Sequence, residues 1–591
     1  MEILGHKLFL QNDAFIVSKK YIFARYVILL LFGSIYGLSF NCSYLFWVGW
    51  IGVVPLYLSV KNSTWQRAFA NGLVWGYGWA IVSFFWLGKI EPFVPYAMSL
   101  VLALFPAFWA LAVPLVRRSL LVPNNIILLG HSQTKKYLIE NKLHFKILLL
   151  ALVLSAWWCI LEWIRSWIFT GLPWNYLAVT QWKIFHIIQL ASFTGIYGVS
   201  FILIFFNLGI AETLLVASNS LLYGIRFYKP LILYVSVFVA VLNLIIGVFL
   251  VKQYDISDKN SYAELKALLV QGDIPQIRLY SVDEARGALD VYMRCSDEML
   301  SSKPDLLIWP ESAVPQALRG GSDLSYEYRE KLGCLLKKYH VPMLLGTIDY
   351  GDVMPSGEYK AYNSALYINK DGKIVDFYNK IHIVPWGEYT PGENIFPLKY
   401  IYPWIKQKFG MGRSLSPGRV HTIFNLKENI HAGVLICFED AFPYVARGHV
   451  MKGANLLVTI TNDAWFPGSY EPVQHLAQAV FRCVENRRTM IRSGNNNGTC
   501  VISSFGIITD SIFSKQIGER RTLIPEKQGR GAALFNVKIN TSTKLSFYSQ
   551  YGDIFIGMLF VLFVSILIFS FWKWKERKSM LLEPFKEVVC S

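Results

Sequence analysis

Long apolar runs fill the first 250 residues of the chain, vanish for about 300, and return once near the C-terminus. A helix needs about 20 apolar residues to cross ~30 Å of hydrocarbon. Eight runs predict such helices: Tyr26–Phe40, Tyr44–Val60, Phe69–Leu87, Phe93–Val116, Ile147–Ile164, Ser192–Val216, Pro230–Val251 and Ile554–Trp572. Between the last two, over Lys252–Gly552, charged and turn residues come back and apolar runs shrink to strand length. Ala267–Val270, Asp305–Trp309, Met343–Gly346, Gly433–Cys437 and Leu456–Ile460 predict strands. Ala365–Ile368 with Ile374–Phe377, and Cys500–Ser503 with Ile507–Asp510, predict hairpins around Gly-containing turns. Helical periodicity marks Ser281–Leu300, Tyr326–Tyr339 and Gln474–Arg488. Strands mixed with helices over this length predict one layered α/β domain. The expected units are a membrane domain (residues 1–252, seven helices), a second domain (residues 253–552), and a final helix with a basic tail (residues 553–591).

Composition agrees with a divided chain. Of 591 residues, 54% are apolar or aromatic and only 16% charged, with a mean hydropathy of +0.37. About a quarter charged would be usual for a soluble protein, so a disordered chain and an ordinary water-soluble enzyme are excluded. The net charge of +17 suits either nucleic acid or an anionic membrane, and the positions of the basic residues decide. Lys7, Lys19, Lys20 and Arg25 precede the first run, and Lys61 and Arg67 follow the second. Arg117, Arg118, Lys135, Lys136, Lys142 and Lys146 follow the fourth, Arg226 and Lys229 the sixth, and Lys573, Lys575, Arg577 and Lys578 the eighth. The alternate short loops hold only Lys89, Arg165 and Lys183. Cytoplasmic loops retain Lys and Arg, so both termini are expected in the cytoplasm and the α/β domain outside it. No nucleic acid is needed to explain the charge. No small-residue cleavage site follows the first run, which argues against a removed signal peptide.

The eight cysteines are irregularly spaced, without a CxxC pair or zinc-ligand pattern. Five fall in the α/β region, so at least one free thiol is expected there. Three segments share a design in which an apolar strand ends in a reactive residue followed by turn formers. They are Asp305–Pro310 leading to Glu311, Asp376–Asn379 leading to Lys380, and His431–Ile436 leading to Cys437. Strand ends in layered α/β folds are where distant side chains converge. A carboxylate that takes a thiol proton, and an ammonium that favours a thiolate and then an oxyanion, make a workable nucleophilic site. Taken singly, Cys437 also reads as an inert buried thiol, Glu311 as a helix cap, Lys380 as a solvated strand end, and Glu388 and Glu439 as surface acids.

Together the three segments resemble the Glu-Lys-Cys signature of the nitrilase (carbon–nitrogen hydrolase) superfamily. With the membrane helices, the whole chain resembles the bacterial apolipoprotein N-acyltransferase family. The matching motifs are Val270-Gln271 with Ile274-Pro275-Gln276, Trp309-Pro-Glu311-Ser-Ala313, and Tyr378-Asn-Lys380 through His382, Val384-Pro385 and Gly387-Glu388-Tyr389. They continue in Cys437-Phe438-Glu439, Thr461-Asn-Asp-Ala-Trp465-Phe466, Glu485-Asn-Arg487-Arg488 and Asn496-Asn-Gly498. The resemblance implies about eight transmembrane helices and an extracytoplasmic nitrilase-like αββα sandwich. It implies Glu311 as general base, Cys437 as nucleophile and Lys380 as oxyanion stabiliser, with Glu388 and Glu439 in support and Tyr280, Phe438 and Trp465 at the substrate. Tyr280 and Phe438 stand where the family often carries Trp and Tyr, so the aromatic wall is kept and one hydroxyl is lost. The implied reaction moves an acyl chain from the sn-1 position of a membrane phospholipid, through a Cys437 thioester, to the N-terminal amine of a diacylated apolipoprotein. It implies no cofactor and no metal, and a multi-pass location in the bacterial inner membrane with the catalytic domain facing the periplasm. A membrane-tethered amidase acting on a small amide is the alternative that the same three residues allow.

Two further readings come from the residues themselves. Ile395–Ile405 is rich in aromatics and flanked by Lys399, Lys406 and Lys408, and Ala464–Tyr470 joins aromatics to a Pro-Gly turn; both suit a membrane–water interface. Glu162 and Arg165, three residues apart at a helix end, read as a structural pair.

Overall fold

The computed structural model describes residues 19–120, 133–223, 230–257, 262–276, 281–353, 359–392, 395–403, 414–517, 520–569 and 572. The N-terminal half is helical: α1 (Lys19–Asn41), α2 (Trp65–Ser83), α3 (Val94–Ser119), α4 (Gln133–Arg165), α5 (Ile196–Tyr223) and α6 (Leu231–Ser257). Short helices at Val48–Ile51 and Val54–Val60 fill the gap before α2. Among the described residues six helical segments are long and apolar enough to cross a membrane. They are Ile22–Asn41, Ser43–Val60, Val94–Ser119, Lys142–Arg165, Ile196–Ser218 and Leu231–Lys252. The expected third run falls on α2, which is not among them. Its face carries Asn71, Trp75 and Trp79 buried against α1 and α3, so neighbouring helices rather than lipid solvate it and its sequence needs less apolar character. The expected eighth run appears as a shorter apolar helix, Ile554–Phe569. The sixth begins only at Ile196, because Gly195 turns the chain at φ +65° after a short helix, Ala191–Thr194. Phe23, Ile28, Leu31, Ile245 and Phe249 are exposed on the outside of the bundle, as lipid contact requires.

The C-terminal half carries two six-stranded sheets. The first has strand order β14-β1-β2-β3-β4-β5, from β1 (Tyr262–Gln271), β2 (Leu306–Ile308), β3 (Met343–Val353), β4 (Tyr359–Ile368), β5 (Ile374–Asn379) and β14 (Gly531–Asn540). The second has order β11-β10-β9-β8-β7-β6, from β6 (Ile423–Lys427), β7 (Ile430–Ile436), β8 (Leu456–Thr461), β9 (Thr489–Gly494), β10 (Cys500–Ile502) and β11 (Ile508–Ser511). A small ribbon pairs β12 (Ser514–Ile517) with β13 (Arg520–Leu523). Each sheet has three central parallel strands, β1-β2-β3 and β7-β8-β9, flanked by antiparallel ones. Both expected hairpins form, as β4–β5 and β10–β11.

Alternation along the strands builds the layers. On β7, Ala432, Val434 and Ile436 meet Leu269, Ile308 and Leu344 of the facing sheet, while Leu435 points the other way. Each such fully buried Leu, Ile or Val contributes roughly 1.5–3 kcal/mol. α7 (Val282–Leu300) and α8 (Asp323–Tyr339) cover the outer face of the first sheet. Ser281 starts α7 through a reciprocal cap with Glu284, and Ser322 caps α8. α9 (Pro443–Met451) and α10 (Glu471–Asn486) cover the second sheet, and their apolar contacts run on without a break into the membrane half. The result is an αββα sandwich whose second helical layer lies against the membrane helices.

Candidate active site

Three strand ends bring Glu311, Lys380 and Cys437 together. Glu311 follows β2 through Trp309-Pro310, and β3 crosses so closely that a Cβ on Gly346 would lie 2.5 Å from the Glu311 Cα. Lys380 directly follows β5, its backbone N–H donating to the Asn363 carbonyl of β4 at 2.8 Å. Cys437 follows β7 and opens a 3-10 turn, Cys437–Ala441, with φ +53°. A non-glycine residue at positive φ is strained, and such strain concentrates at functional sites. Lys380 and Glu311 are buried, 1% and 6% exposed, and Cys437 is half-buried beside them. Lys380 Nζ donates to Glu388 Oε1 at 2.9 Å and lies 3.7 Å from Glu311 Oε1. The Cys437 thiol is within hydrogen-bonding reach of Glu311.

Asn363, which the sequence reading did not single out, joins the two acids: its Nδ2 donates to Glu311 Oε1 and to Glu388 Oε1, both at 2.7 Å. Glu388 also accepts from the Val384 N–H at 2.6 Å. Glu439 is the clamp between the lysine loop and the cysteine turn. It accepts from Tyr378 Oη (2.8 Å) and from the N–H groups of Ile381 (2.7 Å), His382 (3.0 Å) and Ile436 (2.8 Å).

Burial and mutual charge set the protonation of the group. Burial pushes the Glu311 carboxyl above the usual range, partly offset by Lys380, and Glu388 pushes it further up. Burial would lower Lys380, but Glu388 and Glu311 outweigh it and hold the ammonium charged. The Cys437 thiol is pushed up by burial and by Glu311, against the pull of Lys380. Burial raises Glu439 to about 7, restrained by its backbone donors. The thiol is therefore protonated at rest beside a carboxylate that is a stronger base than an exposed one.

Beneath Cys437 lies a second charged cluster, Asp440, Asp463, Glu471, His475 and Arg492, all buried. His475 Nδ1 lies 2.9 Å from Asp463 Oδ1, and Nε2 bonds the Cys437 carbonyl at 3.1 Å with Asp440 Oδ1 at 2.9 Å. Arg492 donates to Asp463 Oδ2 at 3.1 Å. Asp463, Glu471 and His475 have the spacing that could hold a metal ion. The nearest oxygen to each ring nitrogen, however, is an acceptor, Asp463 Oδ1 on one side and the Cys437 carbonyl with Asp440 on the other, so both nitrogens carry protons and neither keeps a lone pair for a metal. Asp463 stands within a quoted motif and Asp440 directly after one, but His475 and Arg492 carry no sequence signal beyond polar residues inside apolar surroundings.

The remaining expected residues are spread more widely. Tyr280 lies outside the described residues. Phe438, next to the nucleophile candidate, stacks on Trp174 of the membrane half (centroids 5.8 Å) and edge-on to Phe442 (5.0 Å). Trp465 is 44% exposed, and its neighbour Phe466 meets Trp86 of the membrane half edge-on at 4.6 Å. Ile395, Phe396, Tyr400 and Ile401 are exposed, whereas Tyr402 is buried with its hydroxyl on the Pro391 carbonyl; Trp404, Ile405, Lys406 and Lys408 lie outside the described residues. Glu162 and Arg165 do not satisfy each other. Glu162 accepts from Trp158 Nε1 (3.0 Å) and the Leu177 N–H (2.8 Å), while Arg165 donates to the Trp174 carbonyl (3.1 Å) and lies over Tyr176 and Trp79. Both thus brace the loop that carries Trp174. The seven described cysteines are all free thiols.

Residues 32–209 match the apolipoprotein N-acyltransferase N-terminal domain, and residues 269–521 match carbon-nitrogen hydrolase. Curated relatives named apolipoprotein N-acyltransferase include those of Geobacter metallireducens, 29% identical over 90% of this chain and 92% of that protein, and Rickettsia prowazekii, 26% identical over 92% and 97%. Among solved structures, an amidase from Nesterenkonia sp. aligns with 49% of this chain and 94% of its own, at 14% identity and a TM-score of 0.32. With one match in the membrane half, another in the hydrolase half, and relatives of the same name aligned over about nine-tenths of this chain and of their own, the chain belongs to the apolipoprotein N-acyltransferase family, a multi-pass inner-membrane branch of the carbon–nitrogen hydrolases.

Proposed function

We propose that this protein transfers a fatty acyl chain from the sn-1 position of a membrane phospholipid to the α-amine of the diacylglyceryl-cysteine at an apolipoprotein N-terminus. One observation carries the reading: a buried carboxylate and ammonium meet a half-buried thiol, Cys437, whose neighbour Phe438 stacks on Trp174 of the membrane half. Glu311 takes the thiol proton, and the Cys437 sulfur adds to the sn-1 ester carbonyl. Lys380 stabilises the resulting oxyanion. Collapse breaks the carbon–oxygen bond, Glu311 returns its proton to the departing glycerol oxygen, and a lysophospholipid leaves. The incoming amine then adds to the thioester carbonyl and gives its proton to Glu311. Collapse forms the amide and releases Cys437, which regains that proton.

Glu388 keeps Lys380 in place and Glu439 locks the lysine loop to the cysteine turn. Phe438 and Trp465 offer aromatic surface to acyl chains, and Tyr280 takes the same role by its place in the sequence motif. The scheme draws on no cofactor. In this reading the membrane domain covers residues 1–252, the catalytic domain 253–552 and the closing helix and tail 553–591. α2 and Ile554–Phe569 complete about eight crossings, so both termini are cytoplasmic and the catalytic domain faces the periplasm. The exposed aromatics of Ile395–Ile401 and Trp465 face the bilayer. The test supplies phospholipid labelled in the sn-1 chain and a synthetic diacylglyceryl-cysteine peptide to protein in detergent. Label on the peptide amine, lost in Cys437→Ala, is expected. Labelled free fatty acid with no labelled peptide would contradict transfer and favour a hydrolase.

A further inference from the structure

α10 places two adjacent polar side chains at the junction of the two halves, and both are almost fully buried: Gln474 and His475 are each 1% exposed. Gln474 is tied to four segments of the membrane half. Its Oε1 accepts from Trp86 Nε1 (3.1 Å), Trp174 Nε1 (2.8 Å) and Asn175 Nδ2 (3.0 Å). Its Nε2 donates to Asn41 Oδ1 (2.6 Å) and the Ser83 carbonyl (2.9 Å). His475 points the other way, to the nucleophile's own backbone, and Trp174 packs on its ring at 5.3 Å.

The protonation of His475 follows from its partners. Nδ1 faces the Asp463 carboxylate at 2.9 Å, with Glu471 Oε1 farther off at 3.5 Å, and Nε2 faces the Cys437 carbonyl with Asp440 beside it; the nearest oxygen on each side is an acceptor. The ring is therefore an imidazolium. Asp440 and Asp463 balance its charge together with that of Arg492, and burial, with Asp463 nearby, pushes the Glu471 carboxyl well above its ordinary range. A charged donor on a carbonyl makes a stronger bond than a neutral one. It does so here at the one residue of the cysteine turn with positive φ.

We propose that His475 is the positioning residue that fixes the Cys437–Phe438 peptide, and that Gln474 ties this setting to the docked membrane half. In a trans peptide the C=O and N–H point in opposite directions. With the Cys437 carbonyl held on His475, the Phe438 N–H is turned away from the buried charge cluster, free to serve the oxyanion alongside Lys380. The same bond holds the Cys437 Cα in its strained conformation, and thus the thiol toward Glu311. Bonds that polarise one another strengthen in sequence, so the imidazolium also makes that N–H a better donor. This role rests on the acyl-transfer reading above.

The test compares His475→Gln with His475→Asn. A glutamine amide nitrogen falls near the place of Nε2 and keeps the donor to Cys437; an asparagine amide nitrogen falls near Nδ1 and loses it. Two rates are read on each protein: thioester formation from phospholipid, and alkylation by iodoacetamide, which builds no oxyanion. The expected result is thioester formation reduced about 100-fold in His475→Asn, the scale for roughly 1 Å of misplacement, with alkylation reduced much less. His475→Gln should recover most of the thioester rate. Equal rates in His475→Asn and wild type, or equal losses in the two variants, would overturn the positioning role while leaving the reaction standing. No thioester on the wild-type protein would overturn the acyl-transfer reading itself, and this role with it. Should His475→Asn fail to fold, histidine-labelled wild-type protein decides by nitrogen NMR: one ring protonated at both nitrogens across neutral pH is expected, and a ring set with no such member overturns the proposal.

Discussion

Replacing Gly346 by alanine puts the position of Glu311 under direct strain. The added Cβ would stand 2.5 Å from the Glu311 Cα, 2.7 Å from the Pro310 oxygen and 2.9 Å from the Ser312 nitrogen. All three are backbone atoms, so no side-chain rotation relieves them. Ordinary contact begins near 3.4 Å, so β3 and the Glu311 segment must separate by about 1 Å. β3 is held on both sides, by β2 through Leu307↔Met343 and by β4 through nine paired residues. The Glu311 segment, held by fewer bonds, is the part that yields. The Gly346 N–H bond to the Pro310 carbonyl, 3.1 Å, is lost with it. Overpacking of this kind costs about 1–3 kcal/mol of stability, and about 1 Å of displacement at a catalytic base costs on the order of 100-fold in rate. The assay is the rate of acyl-adduct formation from phospholipid, read by intact-protein mass spectrometry beside a thermal melt. A folded Gly346→Ala protein that acylates within about twofold of wild type would refute the role given to Glu311.

Thioester formation should rise with pH and level off above neutrality, because Glu439, raised to about 7 by burial, and Glu311, also raised by burial, act as carboxylates. Protonation on the acid side removes the base and loosens the clamp on the lysine loop; a flat profile from about pH 5 to about pH 8 would contradict this. Gly498→Ala should break the charge cluster, since a Cβ there would lie 1.7 Å from Arg492 Nη1 and 2.9 Å from its Cζ, at φ +72°. Forcing Arg492 off Asp463 costs about 3–5 kcal/mol, visible as a lowered melting temperature, with acylation lost in parallel. Lys380→Met leaves Glu311 and Glu388 sharing only Asn363; it should destabilise the fold by a similar ~3–5 kcal/mol at neutral pH and regain part of that in mild acid as one carboxyl takes a proton. Equal melting temperatures at both pH values would argue that the two acids are not held together by the lysine.

The layered domain was legible because its strands are short apolar runs closed by turn residues, as at Leu456–Thr461 and Ile430–Ile436, and because Gly372 marks the β4–β5 turn. The site was legible for a related reason. Glu311, Lys380 and Cys437 each end such a run, where a reactive side chain breaks an apolar pattern. Asn363 and His475 escaped notice because each is held by long-range partners: Asn363 sits mid-strand between acids 52 and 25 residues away. α10 is the clearest case. Its sequence carries Gln474, His475, Gln478, Arg482, Glu485 and Asn486, which reads as a helix with a wet face, yet all of these are buried. Gln474, His475, Arg482 and Glu485 find partners in the membrane half and the cysteine turn, including the Ile196 N–H on Glu485 and the Ala441 carbonyl on Arg482, so their burial belongs to the docking of two halves. α2 differs in the opposite sense, since contacts with its neighbours stand in for lipid.

The central claim is that Cys437 carries the acyl chain between donor and acceptor. Intact-protein mass spectrometry after incubation with phospholipid alone, without any amine acceptor, tests it most directly. The account predicts a mass increase of one acyl chain, removed by neutral hydroxylamine, absent from Cys437→Ala, and matched by released lysophospholipid. Lysophospholipid released with no adduct on the protein, or an adduct that survives hydroxylamine or persists in Cys437→Ala, would contradict it.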